Sequence, residues 1–153
     1  MVYTDMTILA MKVAYAAHEG QVDRIGVPYI YHPIHLAEQM DTEDECVAAL
    51  LHDVVEDTDI TLEELRSKGF TDTQLEAVEL LTHIPSPEKQ AEEEKLEEYL
   101  DYVRRLKSNA IARKVKMADL RHNSDPERKT GDEEADLIRH EKYKKALDIL
   151  IQE

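Results

Sequence analysis

The chain has 153 residues, a length that suits one compact domain, and its 34 acidic against 19 basic side chains give a formal net charge of −15. Such an acidic balance argues against a nucleic-acid binder, which needs a basic face. No run approaches the ~20 apolar residues of a membrane span, and the N-terminus has no basic segment followed by a long apolar stretch, so no membrane anchor or targeting signal is expected. The single cysteine, Cys46, cannot form an internal disulfide, which favours a reducing, cytoplasmic location.

Helical periodicity dominates the sequence, and no segment shows the convincing alternation of a β-strand. In chain order the pattern predicts helices over residues 4–18, 33–40, 43–57, from 61 onward, 71–82, 88–107, 110–123 and 133–151. Residues 19–31 carry the densest turn signal and are predicted to form a loop. The sequence therefore predicts an all-α protein of about seven or eight helices, in a single domain covering residues 1–153.

The predicted helix over residues 43–57 holds the apolar run Cys46–Leu51 and is apolar on nearly all sides, so it should be central and buried. It ends in four polar residues: His52, Asp53, Glu56 and Asp57. Because residues i and i+4 share a face of a helix, His52 should lie beside Glu56 and Asp53 beside Asp57. Burying uncompensated charges costs several kcal/mol per ion by rough estimate, and a divalent metal is an economical compensator.

Two further polar residues stand in similarly unexpected places. His32 comes just before the helix predicted to start at Pro33, and Asp119 interrupts an apolar stripe formed by residues 115, 117 and 118. Together with His52 and Asp53 they provide two imidazoles and two carboxylates. This mixed nitrogen and oxygen donor set suits Mn, Fe, Zn or Mg, with positions left for water and substrate.

The order His, His-Asp, Asp resembles the signature of the HD superfamily of metal-dependent phosphohydrolases. The chain is most similar to the hydrolase domain of the RelA/SpoT alarmone enzymes and their small stand-alone relatives. The matching segments are AHEGQ at 17–21, PYIYHP at 28–33, AALLHDVVEDT at 48–58, VKMAD at 115–119 and HN at 122–123.

This resemblance implies an HD-type helical domain and a metal, usually manganese, held by His32, His52, Asp53 and Asp119. It also implies that Glu56 and Asp57 lie around the attacking water. The reaction it implies is hydrolysis of (p)ppGpp at the 3′ position, giving GDP or GTP plus pyrophosphate. The expected substrate contacts are Arg24, Tyr29, Lys116, Arg121 and Asn123. Lys116 and Arg121 are included because they lie near Asp119 in the sequence, and Tyr29 because it lies near His32.

The sequence departs from the family pattern at two places. Alarmone hydrolases often carry Arg-Lys-Ser-Gly where this chain has Asp23-Arg24-Ile25-Gly26. The first of those basic residues helps to hold the guanine base in the family, and here it is an acid. The family's last motif reads Asp-Arg-Leu-His-Asn, whereas residues 119–123 of this chain read Asp-Leu-Arg-His-Asn. The arginine is thus one position later, which rotates it by about 100° around a helix.

Two other hypotheses remain open. The chain could hydrolyse a different phosphorylated nucleotide, which Asp23 and Ile25 favour, or it could be a metal-bound nucleotide sensor or partner-binding protein without turnover. The Glu56-Asp57 pair argues against a sensor, because a sensor needs no carboxylate beside the metal. His18 is interpreted either as a surface histidine or as a support for the ligands. The sequence leaves the physiological substrate, the cellular metal and the oligomeric state open.

Overall fold

The computed structural model describes residues 1–89 and 91–152, and over these residues the fold is all-α, as predicted. Its helices are α1 (Asp5–Ala17), α2 (Tyr31–Ala37), α3 (Glu43–Leu51), α4 (Val54–Asp57), α5 (Leu62–Ser67), α6 (Asp72–Leu81), α7 (Glu92–Leu106), α8 (Ala110–Asn123) and α9 (Glu133–Ile151), with a short 3-10 helix at Pro126–Arg128. Each predicted helix is present, and one of them is divided into α3 and α4. Gln90 of the predicted 88–107 helix and Glu153 of the predicted domain lie outside the described residues.

The helix predicted over residues 43–57 is interrupted at His52 and Asp53. Asp53 has φ −108° and ψ 0°, close to the bridge region in which a helical ladder does not continue. The His52 side chain bonds the carbonyl oxygen of Ala49, 2.6 Å from its Nδ1, and so satisfies one of the last carbonyl groups of α3. The prediction of one continuous helix is therefore wrong at these two residues.

Two other helix starts differ from the prediction. α2 begins at Tyr31, so His32 lies inside its first turn, where Pro33 is also tolerated because the first N–H groups of a helix have no partner within it. α7 begins at Glu92 rather than at residue 88, because residues 86–89 turn back on themselves through a backbone hydrogen bond of 3.1 Å.

The apolar run Cys46–Leu51 forms the centre of the core, as predicted, since none of its side chains is exposed to solvent. α3 packs against α1, α2, α6 and α8, which enclose it. Its start is fixed by a capping box, in which Thr42 Oγ1 accepts from the Glu45 N–H while the Glu45 carboxylate accepts from the Thr42 N–H, both at 3.2 Å. The enclosed helix therefore delivers its C-terminal residues to the interior of the fold. Among the described residues, no helix has both the length and the apolar character needed to cross a membrane.

Candidate metal centre and active site

The four predicted metal ligands meet at the C-terminal end of α3. His32 from α2 places its Nε2 2.8 Å from Asp119 Oδ1 of α8. His52 Nε2 lies 2.9 Å from Asp53 Oδ2 and 3.6 Å from Asp119 Oδ1. Both histidines and Asp119 are buried, with at most 5% of each residue exposed. Three separate segments of the chain thus bring two imidazoles and two carboxylates to one point.

The hydrogen bonding of His52 shows that this point is suited to a cation. Its Nδ1 must carry the proton, because the Ala49 carbonyl oxygen beside it can only accept. Its buried Nε2 has no hydrogen-bond partner among the described residues and faces the carboxylates of Asp53 and Asp119. Burial lowers the pKa of His52, yet the two carboxylates raise it well above its usual value. The lone pair of His52 Nε2 and the two carboxylates that it faces fit a divalent metal ion.

Asp119 is held as a carboxylate by its neighbours. Its Oδ2 accepts from Lys116 Nζ at 2.8 Å, and its Oδ1 accepts from Asn123 Nδ2 at 3.0 Å. Burial raises the pKa of Asp119, but Lys116 and the two histidines bring it well below its usual range. Lys116 is itself buried and therefore serves first as the partner of a metal ligand, although it also reaches the cavity described below.

Glu56 and Asp57, the predicted catalytic pair, stand at the mouth of the cluster. Their carboxylate oxygens and those of Asp53 lie within 4.8 Å of one another. The His83 N–H donates to Glu56 Oε1 at 2.6 Å and fixes its position. Glu56 is an exposed residue, and neighbouring protein atoms desolvate its carboxyl group in part. This desolvation and the charge of Asp53 raise the pKa of Glu56 to about 7. A group with such a pKa can take up a proton near neutral pH, as a general base must.

Tyr29 and Asn123, both predicted substrate contacts, bond to the candidate ligands Asp53 and Asp119. The Tyr29 hydroxyl donates to Asp53 Oδ2 in a short hydrogen bond. Asn123 donates from Nδ2 to Asp119, while its Oδ1 accepts from Arg128 Nη1 at 2.9 Å. The polar atoms of both side chains are thus engaged in orienting the ligands.

The two predicted arginines lie in different places. Arg24 is exposed on the loop between α1 and α2, where it lines a small cavity of about 40 Å³ together with Arg139. Arg121 lines a separate hollow with Lys107 and Lys114. It lies two residues after Asp119, about 200° around the helix, and therefore points away from the ligand. The structure does not bring Arg121 to the site, so its expected contact with substrate has no geometric support.

Asp23, which stands where the resembling enzymes often carry an arginine, holds the loop between α1 and α2 in place. Its Oδ1 accepts from the N–H groups of Ile25 and Val27, each at 3.0 Å, and its Oδ2 lies 3.2 Å from Arg128 Nη2. Arg128 in turn donates to Asn123. An aspartate shortly before a glycine is a recognisable turn signal. Arg128, more than 100 residues later, could not be identified as its partner from the sequence.

His18 supports the site from behind and is not a surface residue, since only 2% of it is exposed. Its Nδ1 lies 2.8 Å from Gln21 Oε1, and its ring centre lies 4.9 Å from that of Tyr29. Gln21 Nε2 donates to the carbonyl oxygen of Asp57 at 3.1 Å. The AHEGQ segment thus connects the predicted loop to the mouth of the cluster.

The cluster opens into a cavity of about 820 Å³ between α7 and α9. Its inner wall carries Asp53, Glu56 and Lys116, and its outer wall carries Tyr99, Ile138 and Lys142. The residues of the outer wall belong to no matched motif, so the sequence gives no signal for them.

Comparison with known proteins shows what this arrangement is similar to. A family model of the HD domain matches residues 10–123. The chain is 35% identical over 121 residues to the bifunctional (p)ppGpp synthase/hydrolase SpoT of Escherichia coli K12, covering 74% of this chain and 17% of that protein. It is 34% identical over 116 residues to a guanosine-3′,5′-bis(diphosphate) 3′-pyrophosphohydrolase of Haemophilus influenzae, covering 72% of this chain and 17% of the relative. The chain thus spans a small part of the length of these bacterial relatives.

A solved structure, described as a metazoan ortholog of SpoT that hydrolyzes ppGpp, has the same fold. It aligns with a TM-score of 0.76 and 25% sequence identity, over 99% of this chain and 88% of that one. The family match extends from α1 to the end of α8 and includes every candidate metal ligand. The chain therefore belongs to the HD-domain family.

Proposed function

We propose that this chain is a metal-dependent phosphohydrolase that cleaves (p)ppGpp at the 3′ position, giving GDP or GTP plus pyrophosphate. The observation that carries the reaction class is the cluster of His32, His52, Asp53 and Asp119 with Glu56 at its mouth. The substrate is supported by the relatives named for this reaction and by the similarity to a structure described as hydrolysing ppGpp.

The four clustered side chains would hold the metal, with Mn²⁺ as the proposed ion. When bound, a divalent ion lowers the pKa of water and polarises phosphoryl oxygens. The chain prepares the ligands for this role, since Lys116 keeps Asp119 ionised and Ala49 fixes the tautomer of His52. Tyr29 orients Asp53 through its hydroxyl group.

Glu56 is the proposed general base. The attacking water gives its proton to this carboxylate, and its oxygen forms a bond to phosphorus. The bond between phosphorus and the 3′ oxygen of the ribose breaks, and the 3′ oxygen keeps the electron pair and takes up a proton from solvent. Glu56 returns its own proton to solvent. The His83 N–H holds Glu56 in place, and Asp57, whose pKa is also raised by burial and by Asp53, lies within reach to orient the water. No covalent intermediate is required.

A second candidate is hydrolysis of another phosphorylated nucleotide at the same site. The observation that favours it is the Asp23–Arg128 ion pair, which occupies the loop position where the resembling enzymes carry a base-holding cation. Under this alternative the metal ligands and Glu56 keep their roles, and only the preference for guanine is lost.

The test is release of pyrophosphate and phosphate by the Mn-loaded protein across a panel of nucleotides that includes ppGpp and pppGpp. We expect pyrophosphate and GDP from ppGpp, and Glu56→Gln should lower kcat by about 10²-fold or more with an unchanged metal content. Arg121→Ala is the matched control and should leave kcat/KM within about twofold, because Arg121 faces away from the site. If only a nucleotide other than ppGpp or pppGpp is hydrolysed, the second candidate is favoured. Nucleotide binding without any turnover would contradict the proposal that the chain is an enzyme.

A further inference from the structure

Lys142 lines the cavity without an acidic partner in the described part of the chain, unlike its neighbours Lys116 and Arg139. Lys116 is bound to Asp119, and Arg139 lies 2.6 Å from Asp136. Lys142 forms no ion pair with any described residue, although it is partly buried and lines the cavity. A half-buried ammonium without a counter-charge is costly unless an anion comes to it.

The charges nearest to Lys142 make this site more positive. Burial lowers the pKa of Lys142, and the cations Arg24, Lys116 and Arg139 lower it further, while the carboxylate of Asp119 raises it. The cavity lining also carries acidic residues, of which Glu56, Glu92, Glu93 and Glu141 are exposed and Asp53 and Glu98 are half-buried. In a protein with a net charge of −15, Lys142, Lys116 and Arg139 nevertheless line one cavity, with Arg24 close by, and together these cations can attract an anion.

The Tyr99 ring contacts both Lys142 and Lys116, two of the lysines that line the cavity. Lys142 Nζ lies 4.9 Å from the centre of the Tyr99 ring, and Lys116 Nζ lies 5.4 Å from the same centre. Lys116 donates directly to the candidate ligand Asp119, whereas Lys142 is connected to Lys116 through the Tyr99 ring that both lysines contact. One turn before Lys142, Ile138 exposes 56% of its surface and also lines the cavity, offering an apolar surface for the middle of a ligand.

We propose that Lys142 binds a phosphate group of the substrate other than the one that is cleaved, so that the site selects nucleotides phosphorylated at two separate positions. This inference rests on the proposed function and extends it. With a 3′,5′-bis(diphosphate) substrate, the 3′ group occupies the metal cluster and the 5′ group reaches Lys142. The contact is made in the ground state and the transition state alike, so it contributes to KM rather than to kcat.

The experiment compares Lys142→Met with wild type on two substrates, ppGpp and a guanosine 3′-diphosphate whose 5′ position is an unmodified hydroxyl. On ppGpp we expect KM to rise by about tenfold to a hundredfold, the scale of a lost charge-assisted contact, with kcat within about twofold. On the substrate without a 5′ phosphate, the variant and wild type should agree. Lys142→Arg should restore most of the affinity, and Lys144→Met is the control, since Lys144 is exposed and lies outside the cavity lining.

An equal rise in KM on both substrates, or no rise on either, would overturn the role of Lys142 and leave the proposed function intact. If wild type releases no pyrophosphate from either substrate, the proposed function fails. In that event calorimetric binding of guanosine 3′,5′-bisphosphate decides the inference separately. Binding that Lys142→Met weakens by tenfold or so supports the site, and binding that the variant leaves unchanged refutes it.

Discussion

The floor and the rim of the site are held in different ways. On the floor, the ligands come from α2, from the end of α3 and from α8, and each is bonded to a partner from the same buried cluster. On the rim, Asp23, Tyr99 and Lys142 stand on a loop and on two outer helices, with part of their surface open to solvent. A change on the floor therefore disturbs several buried groups at once, whereas a change on the rim leaves the buried cluster in place. We infer that the floor determines the reaction class and the rim determines the substrate.

The largest expected effect lies on the floor, at the buried pair of Asp119 and Lys116. Asp119→Ala should lower the free energy of unfolding by about 3–5 kcal/mol, because it leaves the Lys116 ammonium buried without its carboxylate. Urea unfolding in the presence of a chelator measures this loss without any contribution from metal. The double variant Lys116→Met/Asp119→Ala should recover part of it. A loss below about 1 kcal/mol for the single variant would show that the pair is not a stabilising unit.

Metal binding should have the next largest effect. Since the ion binds only the folded cluster, an excess of Mn²⁺ at about 100 times its Kd should stabilise the protein by about 2.7 kcal/mol. Chelation should accordingly lower Tm, and added Mn²⁺ should restore it. Asp53→Ala should lose most of the metal by elemental analysis, whereas Asp57→Asn should retain it and lose turnover. Full occupancy in Asp53→Ala would contradict the ligand assignment.

The rim should respond more weakly, and Asp23 tests this. Asp23→Ala should cost about 1–2 kcal/mol of stability, because two loop N–H groups and Arg128 lose their acceptor. Asp23→Asn should cost less, since its amide oxygen can still accept from the loop. Steady-state kinetics should show an unchanged kcat in Asp23→Asn, because no metal ligand is moved.

The same residue predicts a pH dependence. Burial raises the pKa of Asp23, but the N–H groups of Val27 and Ile25 and the Arg128 guanidinium bring it below its ordinary value of 3.8. A carboxyl group with a lower pKa in the folded state stabilises above the unfolded pKa and loses that contribution as pH falls through the folded value. The difference in unfolding free energy between wild type and Asp23→Asn should therefore be constant near neutrality and shrink below about pH 4. A difference that grows towards acid pH would assign the stabilisation to another group.

The floor could be predicted from the sequence because its polar residues interrupt apolar surroundings. His52 and Asp53 directly follow a run with no exposed side chain, and Asp119 stands within an apolar stripe, so each is an anomaly that a metal explains. Lys142 carries no such signal, since it is one of several lysines on a helix of mostly polar residues. Its role depends on Tyr99 and Lys116, which lie far away in the sequence, and such pairings are set by the fold alone.

The break between α3 and α4 bears on the design of metal sites. Two consecutive residues of a regular helix point about 100° apart, which directs their side chains to different sides. Here the ladder is interrupted at His52 and Asp53, and their Nε2 and Oδ2 atoms lie only 2.9 Å apart. Grafting a His-Asp dipeptide onto a straight helix would therefore separate the two donors. A designed scaffold needs the interruption as well as the residues, together with an acceptor three positions upstream, such as the Ala49 carbonyl, to anchor the imidazole.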